Sequence, residues 1–208
     1  MLRSPSLSPV VGLGLALLLA AGCATTDGAA VAHVPRTGLT AADYYPLGEG
    51  WKWAYDLEKD GDKILGIYSV IDRNAEGATI MAGTERLTYA VTPEGIAQMD
   101  ASGVGDFILK NPVVKGATWP VAGGTARVVS TTDEVTVDAG HFYDCAVVEV
   151  TRTDPPRLAR TTFAPDVGPV VIEVQMQQNG KYVVTTRARL RSATKPGDDP
   201  FGLAKKTP

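Results

Sequence analysis

The sequence predicts a mainly β domain, an antiparallel meander of about ten strands that curls into a barrel, a half-barrel or a sandwich. Three observations lead to this prediction. Apolar and polar residues alternate with a period of two, turn pairs such as Asn179-Gly180 separate the alternating runs, and no stretch shows a convincing amphipathic helix. A sheet of that length has to twist and curl, and the residues leave the three forms open.

The individual strands differ in how clearly they alternate. The clearest runs are 51–58, 170–177 and 181–190. In the first run Trp51, Trp53 and Tyr55 share one face, which is typical of a strand with one buried side and one solvated side. Weaker alternation predicts strands at 63–73, 77–82, 85–92, 95–100, 125–131, 133–138, 144–153 and 158–164. Residues 101–110 could form at most a short helix.

The last two runs are joined at Asn179-Gly180, and their alternation predicts the register of the hairpin. A two-residue turn would place Met176 opposite Val183 and separate the apolar residues of the two strands. A three-residue loop over 178–180 places Met176 opposite Tyr182 instead and keeps the apolar residues on one face. The sequence therefore predicts the three-residue loop, with positive φ at the glycine, where glycine costs least.

The first residues of the chain predict an export signal. They carry one charge, Arg3, and then an apolar run over 10–21 that is too short to cross a bilayer as a helix. The segment from Leu19 to Cys23 (LAAGC) resembles the lipobox of bacterial lipoproteins, in which the cysteine is lipidated and becomes the first mature residue. The alternative is ordinary secretion with a cut after Ala24. Ala24, rather than Asp, follows the cysteine, and this resembles lipoproteins that are retained at the outer membrane rather than the inner membrane.

The chain therefore divides into four predicted segments. They are a lipoprotein signal peptide over 1–22, a flexible tether over 23–42, an antiparallel β domain over 43–191 and a disordered tail over 192–208. The tether and the tail are predicted from small and polar residues without a period. His33 lies in the tether, so we expect it to be solvated.

The composition excludes several classes of protein. The chain has 208 residues, 20 Lys+Arg against 23 Asp+Glu and a formal charge of -3, so it offers no basic surface for nucleic acid. Two cysteines cannot make a disulfide scaffold, and two histidines leave few ligands for zinc. We therefore expect no metal, no cofactor and no nucleic-acid partner.

Four segments resemble a group of uncharacterised bacterial envelope lipoproteins. They are 44–53 (YYPLGEGWKW), 111–119 (NPVVKGATW), 137–145 (VDAGHFYDC) and 163–170 (FAPDVGPV). In the first, Pro46, Gly50 and Trp53 match the pattern of the group, and Trp51 stands where the group usually has Asn. The resemblance implies a lipid-anchored β domain and implies no activity. In physical terms the segments are folding elements, in which Pro and Gly shape a turn and Trp begins a buried face.

Candidate sites other than Cys23 are weak. His141 lies at a predicted hairpin tip, and catalysis would need an unrecognised constellation around it. We expect Cys145 to be a packed thiol rather than a nucleophile. Arg187, Arg189 and Arg191 could bind an anionic partner, but an ordinary solvated strand face explains them as well.

The sequence therefore predicts a lipid-anchored lipoprotein of the cell envelope, at the outer membrane and facing the periplasm. It predicts no enzyme, no catalytic residue and lipidation at Cys23. Its β domain would act as an interaction or structural module for another envelope protein. The alternative is a periplasmic carrier of an apolar ligand inside the curled sheet, which an apolar cavity of several hundred Å³ would favour and a filled core would exclude.

Overall fold

The computed structural model describes residues 33–198 of the chain. The predicted signal peptide, Cys23, the first part of the tether and the end of the tail lie outside the described residues. The described part is almost entirely one antiparallel sheet, which confirms the predicted mainly β class.

The sheet has twelve strands, and one short helix precedes them. The helix is α1 (Ala41–Tyr44), and the strands are β1 (Lys52–Lys59), β2 (Asp62–Arg73), β3 (Gly77–Ala82), β4 (Glu85–Thr92), β5 (Gly95–Met99), β6 (Gly105–Lys110), β7 (Thr118–Val121), β8 (Gly124–Val137), β9 (Gly140–Thr153), β10 (Pro156–Ala164), β11 (Gly168–Gln178) and β12 (Lys181–Thr194).

The strands form a nearly closed barrel with sequential neighbours. β1 pairs with β2 on one side and with β12 on the other, and the order runs from there to β6 at one edge and β7 at the other. Those two edges face each other without a ladder among the described residues, and we call the gap between them the seam. Of the three forms that the sequence leaves open, the structure is therefore a barrel that fails to close at one place.

The antiparallel order defines two ends of the barrel. The β1–β2, β7–β8, β9–β10 and β11–β12 turns lie at one end, which we call the open end. Helix α1, the β8–β9 turn and the β10–β11 turn lie at the other. We call it the strap end because the N-terminal strap, residues 33–40, is bound there.

Two strands differ from the sequence prediction. Residues 105–110 form β6 rather than a short helix, and β7 lies in a stretch where no strand was expected. β7 contains Pro120, which cannot donate a ladder hydrogen bond and therefore argues against a strand in the sequence. The sheet tolerates it because β7 is an edge strand. The predicted strands 125–131 and 133–138 are one strand, β8, whose pairing with β9 shifts register three times.

The predicted register of the last hairpin is wrong. Met176 lies opposite Val183, so Asn179-Gly180 is a two-residue turn, with φ of 51° and 78° at its two residues. The predicted positive φ at the glycine is confirmed. A bulge at Thr185 then shifts the register, so that Ile172 faces Ala188 on the buried side. The apolar pairing that the sequence demands is thus produced by a bulge and not by loop length.

In the described residues, regular structure continues on both sides of the predicted domain 43–191. Residues 33–42, which the sequence analysis assigns to a flexible tether, hold hydrogen bonds to the barrel and include the N-cap and the first two residues of α1. At the other end β12 continues through Thr194, because residues 192–194 pair with the start of β1. Side-chain hydrogen bonds hold residues 33–42, and ladder pairing holds residues 192–194. The composition of these two segments does not predict such contacts.

Aromatic side chains fill the barrel at the strap end. Tyr45 follows α1 and enters the interior, where its ring contacts those of Trp53, Tyr89 and Phe163 at centroid distances of 5.6–6.1 Å. Each of these rings is buried. Since the three partners come from β1, β4 and β10, Tyr45 joins distant parts of the barrel wall and closes this end.

Candidate functional site

A cavity of about 410 Å³ opens into the barrel at the open end, beside the seam. We call it the seam cavity. Its walls come from the end of β5, the first part of β6, the β7–β8 turn and the central parts of β9 and β10. It is the feature of the described residues that best matches a small-molecule site, because such sites are concave pockets of a few hundred Å³.

The deep wall of the seam cavity is apolar. Val148, Val150 and Phe163 contribute to it from β9 and β10, whose pairing places Val148 opposite Thr161 and so puts all of them on the inner face. Phe163 also contacts Tyr45 at a centroid distance of 6.1 Å. Phe163 therefore lies between the aromatic cluster at the strap end and the seam cavity.

The mouth of the seam cavity carries a charged pair. Asp106, from β6, accepts a hydrogen bond from the backbone N–H of Ala122 at 2.8 Å and one from Arg152 Nη2 at 3.2 Å. The two side chains are about one-third exposed. Asp106 thereby ties the edge of β6 to the β7–β8 turn and to β9, on either side of the seam.

A second polar contact crosses the seam deeper in the barrel. Trp119, on β7, donates from Nε1 to the backbone carbonyl of Phe107 on β6 at 2.8 Å. Trp119 is buried. Side chains thus hold the two sheet edges together where no ladder does, and they leave the space between the edges open for the cavity.

A second polar cluster lies at the strap end, around Asp144. This buried aspartate accepts hydrogen bonds from His33 Nε2 at 2.8 Å and from the backbone N–H of Arg36 at 2.9 Å. Its backbone has φ of 54°, a conformation that aspartate tolerates better than most residues. Burial acts to raise the pKa of Asp144, but these hydrogen bonds outweigh it and hold the pKa below the ordinary value of 3.8.

The strap is held by two further contacts. The His33 ring stacks on Tyr143 at a centroid distance of 4.4 Å, and Arg36 Nη1 contacts Asp166 Oδ2 at 2.5 Å. His33 is exposed, as expected, with its side chain one-third exposed, but it is bound to the barrel by these contacts and is not a free tether residue. Its partners are more than a hundred residues away in sequence, which is why the local pattern could not indicate them.

His141 lies on the β8–β9 hairpin, close to the predicted tip. Its Nδ1 is 2.7 Å from Thr136 Oγ1 and its Nε2 is 3.4 Å from Glu134 Oε2. The histidine therefore does meet a hydroxyl and a carboxylate. The imidazole and the carboxylate are both exposed, at 41% and 61%, and Thr136 is the direct cross-strand neighbour of His141. These are the contacts expected of a cross-strand pair on a wet sheet face.

Cys145 is fully buried on β9. Burial, together with the neighbouring carboxylates Asp133, Asp144 and Glu134, raises the pKa of the Cys145 thiol to about 12. A thiol that stays protonated is a poor nucleophile and a poor metal ligand. The structure thus places Cys145 where the sequence analysis expects a packed thiol.

The three arginines of β12 have acceptors within the chain. Arg187 pairs with Glu173 at 2.7 Å, and Arg191 lies 3.4 Å from Asp56. Arg189 donates to the backbone carbonyl of Thr136 at 2.6 Å, which links β12 to β8. They line an outer groove of about 480 Å³, but their charges are already used to hold strands together.

Two kinds of feature are absent from the described residues, a cluster of metal ligands and a membrane-spanning helix. Within residues 33–198 no three His, Cys, Asp or Glu side chains come together as a metal site would require. The same part of the chain contains no helix with the length and apolar character needed to span a membrane.

Sequence reasoning missed the seam cavity and the Asp144 cluster. Asp106, Ala122 and Arg152 are well separated in the chain, and only the barrel topology brings them together. One signal was available for the strap end. The segment 163–170 predicts a turn beside a strand, and the structure places Asp166 of that turn against Arg36 of the strap.

Comparisons with known proteins give fold neighbours only. No protein-family model and no curated protein matches this chain. Among solved structures, the chain is similar to a protein of Bacteroides fragilis that is provisionally described as exported, with a YmcC-like fold. That similarity has 16% identity and a TM-score of 0.45, and it covers 73% of this chain and 98% of the other. A provisionally described lipoprotein of Parabacteroides distasonis gives 15% identity, a TM-score of 0.40 and the same coverage. Values this low transfer neither description to this chain.

Proposed function

We propose that this protein is a lipid-anchored lipoprotein of the bacterial cell envelope, with a non-catalytic β domain that acts as an interaction or structural module. The observation that carries the proposal is Gly22-Cys23 directly after a short apolar run and a basic start. Several acyl chains on one cysteine would give firm attachment, since each buried CH₂ contributes about 0.8 kcal/mol. Ala24 after the cysteine supports the outer membrane, with the domain facing the periplasm.

Cell fractionation of cysteine variants tests the anchor. Wild-type protein should sediment with membranes, and Cys23→Ala should move most of it to the soluble fraction because no acyl chains are attached. Cys145→Ala is the matched control, since it removes the other cysteine and should leave the protein with membranes. Unchanged sedimentation of Cys23→Ala would refute lipidation at this residue. Density separation of the two membranes then tests the outer-membrane assignment.

The non-catalytic character of the domain is supported by the state of its two reactive side chains. Cys145 is buried with a raised pKa, and His141 is an exposed cross-strand neighbour of Thr136. Neither lies on the wall of the seam cavity. A nucleophile, its base and a bound substrate would have to meet in one place for catalysis.

The seam cavity favours a second candidate function, the binding or carriage of an apolar ligand. Its volume of about 410 Å³ and its apolar deep wall are what such a ligand would need. N-phenyl-1-naphthylamine, a neutral probe that fluoresces in apolar surroundings, tests this. Val150→Trp should fill the cavity and abolish the signal, whereas Val183→Trp, on the exposed part of β12, should leave it unchanged. Equal signals from the two variants would exclude the cavity as the binding site.

A further inference from the structure

We infer that the seam cavity selects uncharged over anionic ligands, and that the Asp106–Arg152 pair at its mouth is the group that excludes anions. The inference rests on the ligand-binding candidate above and names the chemical class of its ligand. That class is an apolar molecule with no net charge, which can carry a hydroxyl or carbonyl oxygen at one end.

The charged groups at the mouth of the seam cavity already have partners within the protein. Asp106 uses one carboxylate oxygen for the backbone N–H of Ala122 and the other for Arg152. Asp100 lies close by, but its Oδ1 accepts hydrogen bonds from Ser102 and from the N–H of Val104 within the β5–β6 turn. The mouth therefore holds one matched ion pair and one carboxylate that is committed to its own turn.

An anionic ligand would meet two carboxylates and an arginine that is already paired. An anion would have to compete with Asp106 for Arg152, and it would enter beside two carboxylates. The anion would also lose water at the apolar wall formed by Val148 and Val150, and an ion in apolar surroundings without a counter-ion is strongly disfavoured.

Hydrogen-bonding groups at the mouth remain available to a neutral ligand. Arg152 has five N–H donors, and one of them is used for Asp106. Gln98, also at the mouth, brings an amide that can donate and accept. An oxygen on the ligand can be bonded by these groups while the ion pair stays intact, and the apolar body can lie against Phe163.

A matched pair of probes and a single charge removal test the inference. N-phenyl-1-naphthylamine and 8-anilinonaphthalene-1-sulfonate share one apolar skeleton, and only the second carries a sulfonate. The protein for this test is the full chain with Cys23→Ala, which carries no acyl chains to which the probes could bind. The neutral probe should bind at least about tenfold more tightly than the anionic one, because the sulfonate meets a paired arginine and two acids.

Asp106→Asn should then change the selectivity. Asn can still accept from the N–H of Ala122, but it leaves Arg152 without a counter-ion. Affinity for the anionic probe should therefore rise about tenfold, while the affinity for the neutral probe stays within about twofold. Asp166→Asn removes the same charge at the strap end, next to Arg36, and should alter neither affinity.

The outcomes separate the two proposals. If the neutral probe does not bind, or if Val150→Trp does not displace it, the ligand-binding candidate itself is wrong. If the neutral probe binds in the cavity but the anionic probe binds equally well, or Asp106→Asn leaves the anionic affinity unchanged, ligand binding stands and anion exclusion by the Asp106–Arg152 pair is overturned.

Discussion

Asp144 is the residue on which the binding of the strap depends most. Its carboxylate is buried and receives donors from His33 and Arg36, and Tyr44 donates from its hydroxyl to the Asp144 backbone carbonyl at 3.1 Å. One side chain therefore ties the strap and α1 to the start of β9. A polar group with this many partners is costly to remove, because each partner would be left unsatisfied in a partly buried place.

Asp144→Asn should lower the free energy of unfolding by about 1–2 kcal/mol near neutral pH, since hydrogen bonds to a charged acceptor are stronger than those to a neutral one. Because its pKa is lowered in the folded protein, Asp144 contributes stability above the ordinary carboxyl pKa of 3.8, and the contribution disappears as the pH falls through the folded value. Urea unfolding at several pH values should show the two proteins converging in acid.

Asp166→Asn is the control for this measurement. Asp166 also contacts the strap and also has positive φ, but its side chain is 58% exposed. Exposed ion pairs contribute little, so this variant should lose no more than about 0.5 kcal/mol. Equal losses from both variants, or a loss in Asp144→Asn that persists in strong acid, would contradict the role assigned to the Asp144 carboxylate.

Gly168 shows at the same scale why one of the recognised motifs has its sequence. It begins β11, directly after the β10–β11 turn, with φ of 109°, and a Cβ there would lie 3.2 Å from the Tyr45 ring and 3.3 Å from Trp53 Nε1. Trp53 Nε1 donates to the carbonyl of Val167 in the same turn, at 2.6 Å. The motif is therefore a folding element that fits a turn against two buried rings, as the sequence analysis proposed.

The β11–β12 hairpin shows, at the scale of an element, what alternation can and cannot fix. Over the body of the hairpin the alternation correctly predicts the buried face, since Ala188 and Leu190 are buried. Near the tip the alternation does not determine which face is buried, because Tyr182, Val183 and Val184 are all 41–44% exposed. There the geometry of the Asn-Gly turn sets the pairing, and the bulge at Thr185 reconciles the two parts.

Asn179→Ala distinguishes the two loop lengths in solution. In the observed two-residue turn Asn179 has φ of 51°, a conformation in which alanine is disfavoured, so stability should fall by about 1 kcal/mol. Asn179→Gly should be close to neutral because glycine accepts this conformation. The difference in urea midpoints checks this, and a neutral alanine variant would favour the three-residue loop that the alternation predicts.

The remaining strands and the strap also show where a local pattern predicts an element and where it does not. β3 and β4 have the predicted ends, 77–82 and 85–92, because turns that contain Gly83 and Pro93 interrupt the alternation there. The strap was missed because contacts with distant residues hold it, above all with Asp144. β7 was missed because it is short and contains Pro120, although it pairs locally with β8.

For the whole molecule, the sequence predicts a curled meander but not how it closes. Closure depends on the pairing of β1 with β12, which joins the two ends of the domain, and on the seam, which side chains rather than a ladder hold together. Both are contacts between distant residues. The seam cavity is a consequence of this incomplete closure and could not be read from any local pattern.

The two ends of the barrel differ. The strap end is closed by Tyr45, whereas the open end carries the seam cavity.

Mass spectrometry of the mature N-terminal peptide, from protein purified out of membranes, tests the central claim most directly. We predict a peptide that begins at Cys23 and carries the added mass of several acyl chains. A peptide that begins at Thr25 after a cut behind Ala24, or one that retains the residues before Cys23, with no lipid in either case, would contradict the account.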